Sequence, residues 1–313
     1  LREGIAAALP ADRHVHLVLE NEANQASLLS RGYTAQWNDD FHNALHVLLT
    51  GETEGYYAAF AEDPTAQLMR VLGEGFAYQG EPDLHGKPRG ESSAGLSPEH
   101  FVVFAQNHDQ IGNRAFGDRL RTLVSEPRLR AAMALTALTP MIPLFFMGEP
   151  WGARQPFLFF TDFAPPLDEA VREGRRREFA RFAHFADARQ RARIPDPNAE
   201  SSFAASHTPL AEAGEGEGAR WRDRFVQWIA LRREHLVPGL SAARSLGVRR
   251  LADGAIAAAW SLPDGQWQVA FNFGSAAVPL PVDASRLLWF ENLDPAGGEL
   301  PVDGFIAWRE ARQ

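Results

Sequence analysis

The sequence predicts an α/β protein with a parallel sheet, followed by a small all-β domain. As far as about residue 235, short apolar segments alternate with segments whose apolar residues recur at helical spacing. This alternation is typical of βα units that surround a parallel sheet. After Pro238, short strand-like segments are separated by Pro, Gly and Asp turns, which favours a small β-sandwich.

The boundaries follow from the apolar patterning of each segment. In the first part we predict strands at 14–19, 33–37, 101–106 and 142–147, and helices at 38–49, 64–73, 127–138, 168–186 and 222–234. In the last part we predict strands at 256–261, 266–272, 287–291 and 305–308. Two loops rich in Gly, Pro and Ser are expected at 79–98 and 195–218. A long loop in a compact domain is often functional.

Composition excludes several classes of function. The formal net charge of −9 argues against a nucleic-acid partner, since phosphate binding needs clustered positive charge. The chain has no cysteine, so disulfides, thiolate ligands and cysteine nucleophiles are excluded. The longest apolar stretch, at 141–147, is too short to span a bilayer. We therefore predict no membrane partner, no cofactor and a cytoplasmic location.

The first residue is Leu1, and the chain lacks an initiator methionine. A sequence that enters Arg-Glu-Gly-Ile-Ala-Ala-Ala directly is typical of a cut chain. Processing or trimming that removes nothing functional explains the same start. The residues at the start alone leave both interpretations open.

Two predicted strands deliver a carboxylate at their ends. Glu20 follows the apolar segment 15–19, and Asp109 follows Asn107 and His108 after the apolar segment 101–105. In parallel barrels the carboxyl ends of strands carry the chemistry, and paired carboxyls are the machinery of glycoside hydrolysis. We expect partial burial to raise the pKa of Glu20, which suits a general acid. Alternatively, Glu20 caps a helix or forms a salt bridge, and Asp109 is a metal ligand or an N-cap.

A second polar cluster follows the predicted strand 33–37. Trp37 offers an aromatic platform, and the segment 38–42 adds amide, carboxylate and imidazole groups suited to a sugar. Alternatively, Asn38 or Asp39 is simply the N-cap of the next helix, and His42 and His46 merely share a helix face. A metal at these two histidines lacks a third ligand in the motif, and we predict no metal.

Several segments together resemble the maltooligosyltrehalose trehalohydrolase family, a branch of the alpha-amylase superfamily of glycoside hydrolases. The resemblance covers essentially the whole chain in order, and the Trp-Asn-Asp-Asp-Phe-His block is its most specific part. The segments that carry it are 19–24, 36–52, 106–114, 146–152, 174–179 and 194–197.

The resemblance implies the second half of a (β/α)8 barrel at residues 1–237 and a C-terminal β-sandwich domain at 238–313. It implies hydrolysis, with retention, of the α-1,4 bond next to the terminal trehalose of a maltooligosyltrehalose. Glu20 matches the general acid/base, and Asp109 matches the carboxylate that stabilises the transition state. The implied substrate-binding residues are Trp37, Asp39, Asp40, His42, Asn43, His46, Asn107, His108, Gln110 and Asn113.

This sequence also departs from the family pattern. Asn43 stands where a second consecutive histidine is expected, and Ala59 stands where an acid is expected. No segment matches the Arg-x-Asp-Ala context of the family's nucleophile. We therefore expect that an amino-terminal half of the same polypeptide, with four barrel strands and a β-domain, is missing, and that the chain alone is inactive.

Two rival functions remain at this point. One is a branching or debranching enzyme that acts on α-glucans. The other is a non-catalytic remnant that binds glucan or serves as an interaction module. The resemblance also leaves room for a homodimer.

Overall fold

The computed structural model describes residues 2–10, 12–180 and 187–311. The chain divides into two compact units. Unit 1 comprises residues 1–105, 130–144 and 228–313, and unit 2 comprises residues 106–129 and 145–227. Within the described ranges, no helix is both long and apolar enough to cross a membrane.

Unit 1 contains a four-stranded parallel sheet in the order β1-β2-β3-β4. Its strands are β1 (Val18–Leu19), β2 (Ala35–Trp37), β3 (Phe101–Val103) and β4 (Ile142–Pro143). Each lies within a segment predicted to be a strand, but the hydrogen-bonded part is shorter. Chain order and sheet order coincide, so every strand is joined to the next by a crossover, as parallel pairing requires. The α/β class is confirmed.

The predicted helices 38–49, 64–73 and 127–138 agree with the structure to within one residue at each end, whereas the predicted helix 222–234 begins six residues earlier, at Gly216. The α-helices of the described residues are α1 (Arg2–Ala8), α2 (Ala26–Ser30), α3 (Asp39–Thr50), α4 (Pro64–Glu74), α5 (His108–Gly112), α6 (Leu120–Leu123), α7 (Glu126–Leu138), α8 (Leu167–Phe179), α9 (Ala188–Arg191), α10 (Glu200–Ala205) and α11 (Gly216–His235). The predicted helix 168–186 thus ends at Phe179, and 181–186 lie outside the described residues.

Helices α3 and α4 show why the sequence predicts these elements well. The side chain of Asn38 accepts a hydrogen bond from Phe41 N and caps α3, as one of the two interpretations of this residue expects. Asp63 caps α4 in the same way, and a proline occupies the first turn. At the end of α4, Gly75 has φ +102°, and a Cβ there would lie 2.1 Å from the Phe101 ring. Only glycine fits that turn.

The segment 195–218 is not the plain loop that its composition suggests. Helix α10 and a 3₁₀ turn at Leu210–Gly214 interrupt it. Asn198 and Asp196 fix its start, because Asn198 Nδ2 donates to Asp168 O and Ser202 Oγ donates to Asp196 O. By contrast, residues 79–97 contain no helix and only one isolated bridge, between Pro82 and Pro88. The prediction of a loop is confirmed there.

The C-terminal part of unit 1 consists of two antiparallel sheets. The strands β5 (Arg244–Ala252), β6 (Ala255–Leu262), β7 (Gly265–Asn272), β9 (Leu287–Glu291) and β11 (Gly304–Ala311) form one sheet in the order β5-β6-β7-β11-β9. The second sheet pairs β8 (Val278–Pro279) with β10 (Glu299–Leu300). Ala255, Ala270 and Ile306 of the large sheet share a core with Val278 and Leu300 of the small one. The prediction omitted strand β5, whose residues are mostly exposed.

Buried polar groups join this sheet to the helices of unit 1. The indole of Trp260 donates to Leu72 O, and that of Trp267 donates to Leu138 O. Arg232 is only 5% exposed and donates to Ala137 O, Thr139 O and Met141 O. Burial lowers the pKa of this guanidinium to about 10. The group satisfies the carbonyl of Ala137 in the last turn of α7, which has no partner within the helix, and two carbonyls just beyond the helix end.

We predict that Arg232→Lys lowers the free energy of unfolding by about 2–3 kcal/mol, since hydrogen bonds to charged groups contribute about 1.5–3 kcal/mol each. A lysine has one nitrogen and cannot reproduce a planar fork that contacts three carbonyls. Urea unfolding measures the change. The neighbouring Arg233 is exposed, and Arg233→Lys is expected to change stability by less than about 0.5 kcal/mol. Equal effects of the two substitutions would contradict this role of Arg232.

Candidate active site

Glu20, the predicted general acid, follows β1 directly and is exposed. The expectation of partial burial is therefore wrong in this structure. The physical reason is the position of β1, which lies at the edge of the sheet and pairs only with β2. Val15, which precedes this strand, is 37% exposed, and Val18, which lies in it, is 45% exposed.

The segment after Glu20 is fixed by side-chain amides. Asn21 and Gln36 exchange hydrogen bonds, with Gln36 Nε2 donating to Asn21 O at 2.9 Å. Asn24 is buried and has φ +51°, an uncommon conformation for a residue other than glycine. Its Nδ2 donates to Asp40 Oδ2 at 2.7 Å and to Tyr78 O at 3.3 Å. These bonds hold Asn24 in that conformation.

Asp40, predicted to bind substrate, has no exposed surface. Its Oδ2 accepts hydrogen bonds from Asn24 Nδ2, Ala77 N at 2.9 Å and Tyr78 N at 3.2 Å. Its Oδ1 accepts one from Arg89 at 2.7 Å, which is also an ion pair. The four donors match the acceptor capacity of an ionised carboxylate. Asp40 thus joins three segments of the chain and does not point to solvent.

The two histidines of α3 contact protein groups. His42 Nδ1 lies 2.7 Å from Ala105 O, and because a carbonyl only accepts, this nitrogen carries the proton. In the neutral ring, Nε2 then accepts from the Tyr57 hydroxyl at 3.3 Å. His46 Nε2 contacts Glu52 Oε2 at 2.8 Å, and its ring stacks on Tyr57 with centroids 4.1 Å apart. Tyr57, which the sequence analysis did not single out, orders both rings.

The remaining predicted residues of unit 1 lie at the end of β2 and the start of α3. Trp37 ends β2, is half-buried and packs edge-on against Phe104, with centroids 5.8 Å apart. Asp39 and Asn43 lie on α3 and are half-buried. Asn38 caps the helix and also donates to Gly75 O at 2.7 Å.

Unit 2 carries the second predicted cluster on helix α5. Asn107 is its N-cap, and Asn107 and Gln110 form a capping box in which each side chain accepts from the other's backbone N–H. His108 and Asp109 are exposed. Asn113 Nδ2 donates to Asp109 Oδ1 at 2.7 Å and so orients that carboxylate. The N-cap is therefore Asn107, and the Asp109 carboxylate faces solvent.

The chain is similar to several known proteins. A family model described as a domain of unknown function, DUF3459, matches residues 243–305, which covers most of the C-terminal sheets. The malto-oligosyltrehalose trehalohydrolase of Brevibacterium helvolum is 40% identical over 231 residues, which is 70% of this chain and 38% of that protein. The enzyme of that name from Mycobacterium tuberculosis is 32% identical over 302 residues, 90% of this chain and 48% of that protein.

The chain is a homologue of the malto-oligosyltrehalose trehalohydrolases. It spans less than half the length of these two curated relatives. A solved structure of a putative alpha amylase from Salmonella typhimurium is 42% identical with a TM-score of 0.88, and the match covers 99% of this chain and 53% of that one. The alpha-amylase of H. orenii, 14% identical with a TM-score of 0.53, shares the fold.

In unit 2 of the chain, one buried carboxyl was not foreseen from the sequence. Burial raises the pKa of Glu149 to about 7. Hydrogen bonds from Gln106 Nε2 at 2.9 Å and Phe146 N at 2.6 Å, and the charge of Arg119, oppose this rise in pKa. Gln106 also accepts from Leu120 N, so it joins Glu149 to the start of α6.

A cavity of about 320 Å³ on the C-terminal sheet of this chain contains none of the predicted site residues. It is lined by Leu246, Arg249, Gln268 and Trp308 among others. Register explains it, because Gly247 and Ala259 lie opposite each other on β5 and β6 and leave space beside Gln268 and Trp308.

We predict that Glu149 makes the stability of this chain depend on pH. Between the unfolded pKa of 4.5 and the folded pKa of about 7, the folded state holds a proton that the unfolded state has released. The free energy of unfolding therefore falls as pH rises through this window, by about 3 kcal/mol in total at 1.36 kcal/mol per pKa unit. Above the window this contribution no longer changes with pH.

Glu149→Gln, which cannot ionise, is expected to remove this slope in urea unfolding measured from pH 4.5 to 8. Glu200 is exposed in the same unit, and Glu200→Gln serves as the matched control that keeps the wild-type slope. Parallel curves for wild type and Glu149→Gln would show that Glu149 does not control the pH dependence.

Proposed function

We propose that the protein to which this chain belongs hydrolyses the α-1,4-glucosidic bond next to the terminal trehalose of a maltooligosyltrehalose, releasing trehalose with retention. The observation that carries this proposal is the position of Glu20, directly after the carboxyl end of a strand in a parallel sheet. Relatives named malto-oligosyltrehalose trehalohydrolase support the choice of substrate.

We further propose that the parallel sheet is the second half of a (β/α)8 barrel. The four strands follow one another in chain order, as consecutive strands of such a barrel do. The exposure of Val18 on edge strand β1 is that expected where a further strand would pair. The domain boundary between residues 237 and 238, the cytoplasmic location and a homodimer stay predictions.

In the proposed reaction, Glu20 gives its proton to the glycosidic oxygen as the bond to the anomeric carbon breaks. A carboxylate nucleophile, which the resemblance places in an Arg-x-Asp-Ala context that this sequence does not contain, forms the glycosyl ester. Glu20 then takes a proton from water, and the resulting hydroxide oxygen replaces the ester oxygen at the anomeric carbon. The exposed carboxylate of Asp109, held by Asn113, stabilises the positive charge of the oxocarbenium-like transition state.

The other predicted residues are assigned to binding or support. Trp37 is proposed to stack on a glucosyl ring, and His108 to donate to a sugar hydroxyl. Asn107 and Gln110 already cap α5, so we assign them to orienting His108 and Asp109. Asp40 and the two histidines of α3 are assigned to supporting the segments that carry the site.

We predict that the 313-residue chain alone releases no trehalose, because the nucleophile's context is absent. A chimera that joins this chain to the amino-terminal part of the Brevibacterium helvolum relative is expected to release trehalose. Enzymatic trehalose assay after incubation with maltooligosyltrehalose checks both expectations. Trehalose release by the chain alone would contradict the missing nucleophile.

In the chimera, Glu20→Gln is expected to lower kcat about 10²–10⁴-fold, the usual contribution of a general acid. Glu54 is exposed and makes no side-chain cap bond, and Glu54→Gln is the matched control that should keep full activity. Circular dichroism establishes that each variant is folded.

A folded chimera that makes only linear or branched glucans would instead identify a branching or debranching enzyme. Undiminished activity of Glu20→Gln would remove Glu20 from its role.

A further inference from the structure

The loop 79–98 contacts the segment 22–27, which follows Glu20 in the chain. The contacts are made by Arg89 and Glu91, the two neighbours of Gly90. Arg89 Nε donates to Glu22 O at 2.9 Å. Glu91 N donates to Asn24 O at 3.0 Å, and Ser27 N donates to Glu91 Oε2 at 2.7 Å. Residues 89–91, which we call the clamp, thus hold the segment 22–27 by three hydrogen bonds from two side chains and one backbone group.

Gly90 lets both neighbours face this segment. It has φ +86°, in the left-handed region that favours glycine, and a Cβ there would lie 2.0 Å from Tyr78 O. Any other residue must push the loop away from Tyr78. The glycine is therefore required because two backbones approach closely here, and not because the loop bends as a hinge.

Arg89 also extends the clamp into the protein interior. Its NH2 donates to Asp40 Oδ1 at 2.7 Å, and its guanidinium lies over the Tyr78 ring at 4.7 Å. Asp40 Oδ2 in turn accepts from Asn24 Nδ2. One planar group thus joins the backbone at residue 22 to a buried carboxylate, and that carboxylate holds residue 24.

The strand that carries Glu20 is itself a weak support for the side chain at its end. Strand β1 contains only two residues, lies at the edge of the sheet and leaves Val18 exposed. Two ladder residues fix the strand direction, but they do not fix the exposed side chain that follows. On the other side of Glu20, Gln36 holds Asn21 by side-chain hydrogen bonds, and the clamp holds the segment 22–24 that follows.

We propose that the clamp, acting with Asp40, positions the Glu20 carboxyl for proton transfer, so that Arg89 and Asp40 are positioning residues of the reaction. This inference rests on the proposed function, because it takes Glu20 as the general acid. It assigns a role to the long loop 79–98 and explains why Asp40 is buried instead of contacting sugar. A displacement of about 1 Å at a reacting group can cost about 10²-fold in rate.

The first test uses the 313-residue chain and needs no activity. Arg89→Ala is expected to raise amide hydrogen exchange at Ser27 and Glu91, whose N–H groups make clamp bonds, at least tenfold. Arg70 is the matched control, because it also donates to the loop, at Glu81, but makes no bond to the segment 22–27. Arg70→Ala should leave exchange at Ser27 unchanged. Unchanged exchange in Arg89→Ala would overturn the clamp itself.

The second test measures the steady-state kinetics of the folded chimera described under the proposed function. Arg89→Ala is expected to lower kcat about 10- to 100-fold and to leave KM within about twofold, since substrate contacts are kept and only proton transfer is misaligned. Arg89→Lys keeps the charge but cannot contact Glu22 O and Asp40 together, so an intermediate kcat is expected. Arg70→Ala should match wild type in both constants.

The outcomes separate the two proposals. If the wild-type chimera is active and Arg89→Ala keeps its kcat per folded molecule, the clamp is only structural and the inference is wrong, while the proposed function stands. If the folded wild-type chimera releases no trehalose, the proposed function fails, and the positioning role fails with it. Arg89→Lys with wild-type kcat would show that charge alone matters, which also overturns the proposed bridge.

Discussion

The burial of the Asp40 carboxylate is the constraint on which the candidate site of unit 1 depends. A buried charge is tolerated only when it is paired and fully hydrogen-bonded. Asp40 meets that condition with donors from Asn24, residues 77–78 and Arg89. Because these donors come from three separate segments, none can move away without leaving part of the carboxylate unsatisfied. Asp40, at the start of α3, thereby fixes the position of the backbone at residues 22–24, which follows Glu20.

The same principle operates at the join between helices and the C-terminal sheet. Glu291 is 1% exposed and accepts from the indoles of Trp228 at 3.1 Å and Trp289 at 2.9 Å, with Arg130 as an ion-pair partner. Arg232 satisfies three carbonyls near the end of α7. Apolar burial is non-directional, whereas each buried polar group needs a partner at hydrogen-bonding distance. These groups therefore determine how helices of unit 1 meet its sheets.

Local signals in the sequence predicted the elements but not these long-range contacts. Asn38, Asp63 and Gly75 mark helix ends within a few residues, so α3 and α4 could be placed closely. Strand β5 was missed because nearly all of its residues are exposed and no alternation appears. Glu20 was expected to be partly buried, since its strand is apolar, but burial depends on which strands flank it. The partners of Asp40 and Glu149 are brought together by folding, from positions up to 49 and 43 residues away, and no spacing rule reveals them.

The central claim is that Glu20 is the acid of a trehalose-releasing glycosidase and that it is held for that task by its surroundings. A crystal structure of the Glu20→Gln chimera with bound maltooligosyltrehalose tests it most directly. The account predicts that the side chain at position 20 lies about 2.6–3.2 Å from the glycosidic oxygen next to the trehalose unit. It also predicts that Arg89 still bridges Glu22 O and Asp40. A substrate bound with that oxygen beyond reach of position 20, and near another acid, would contradict the account.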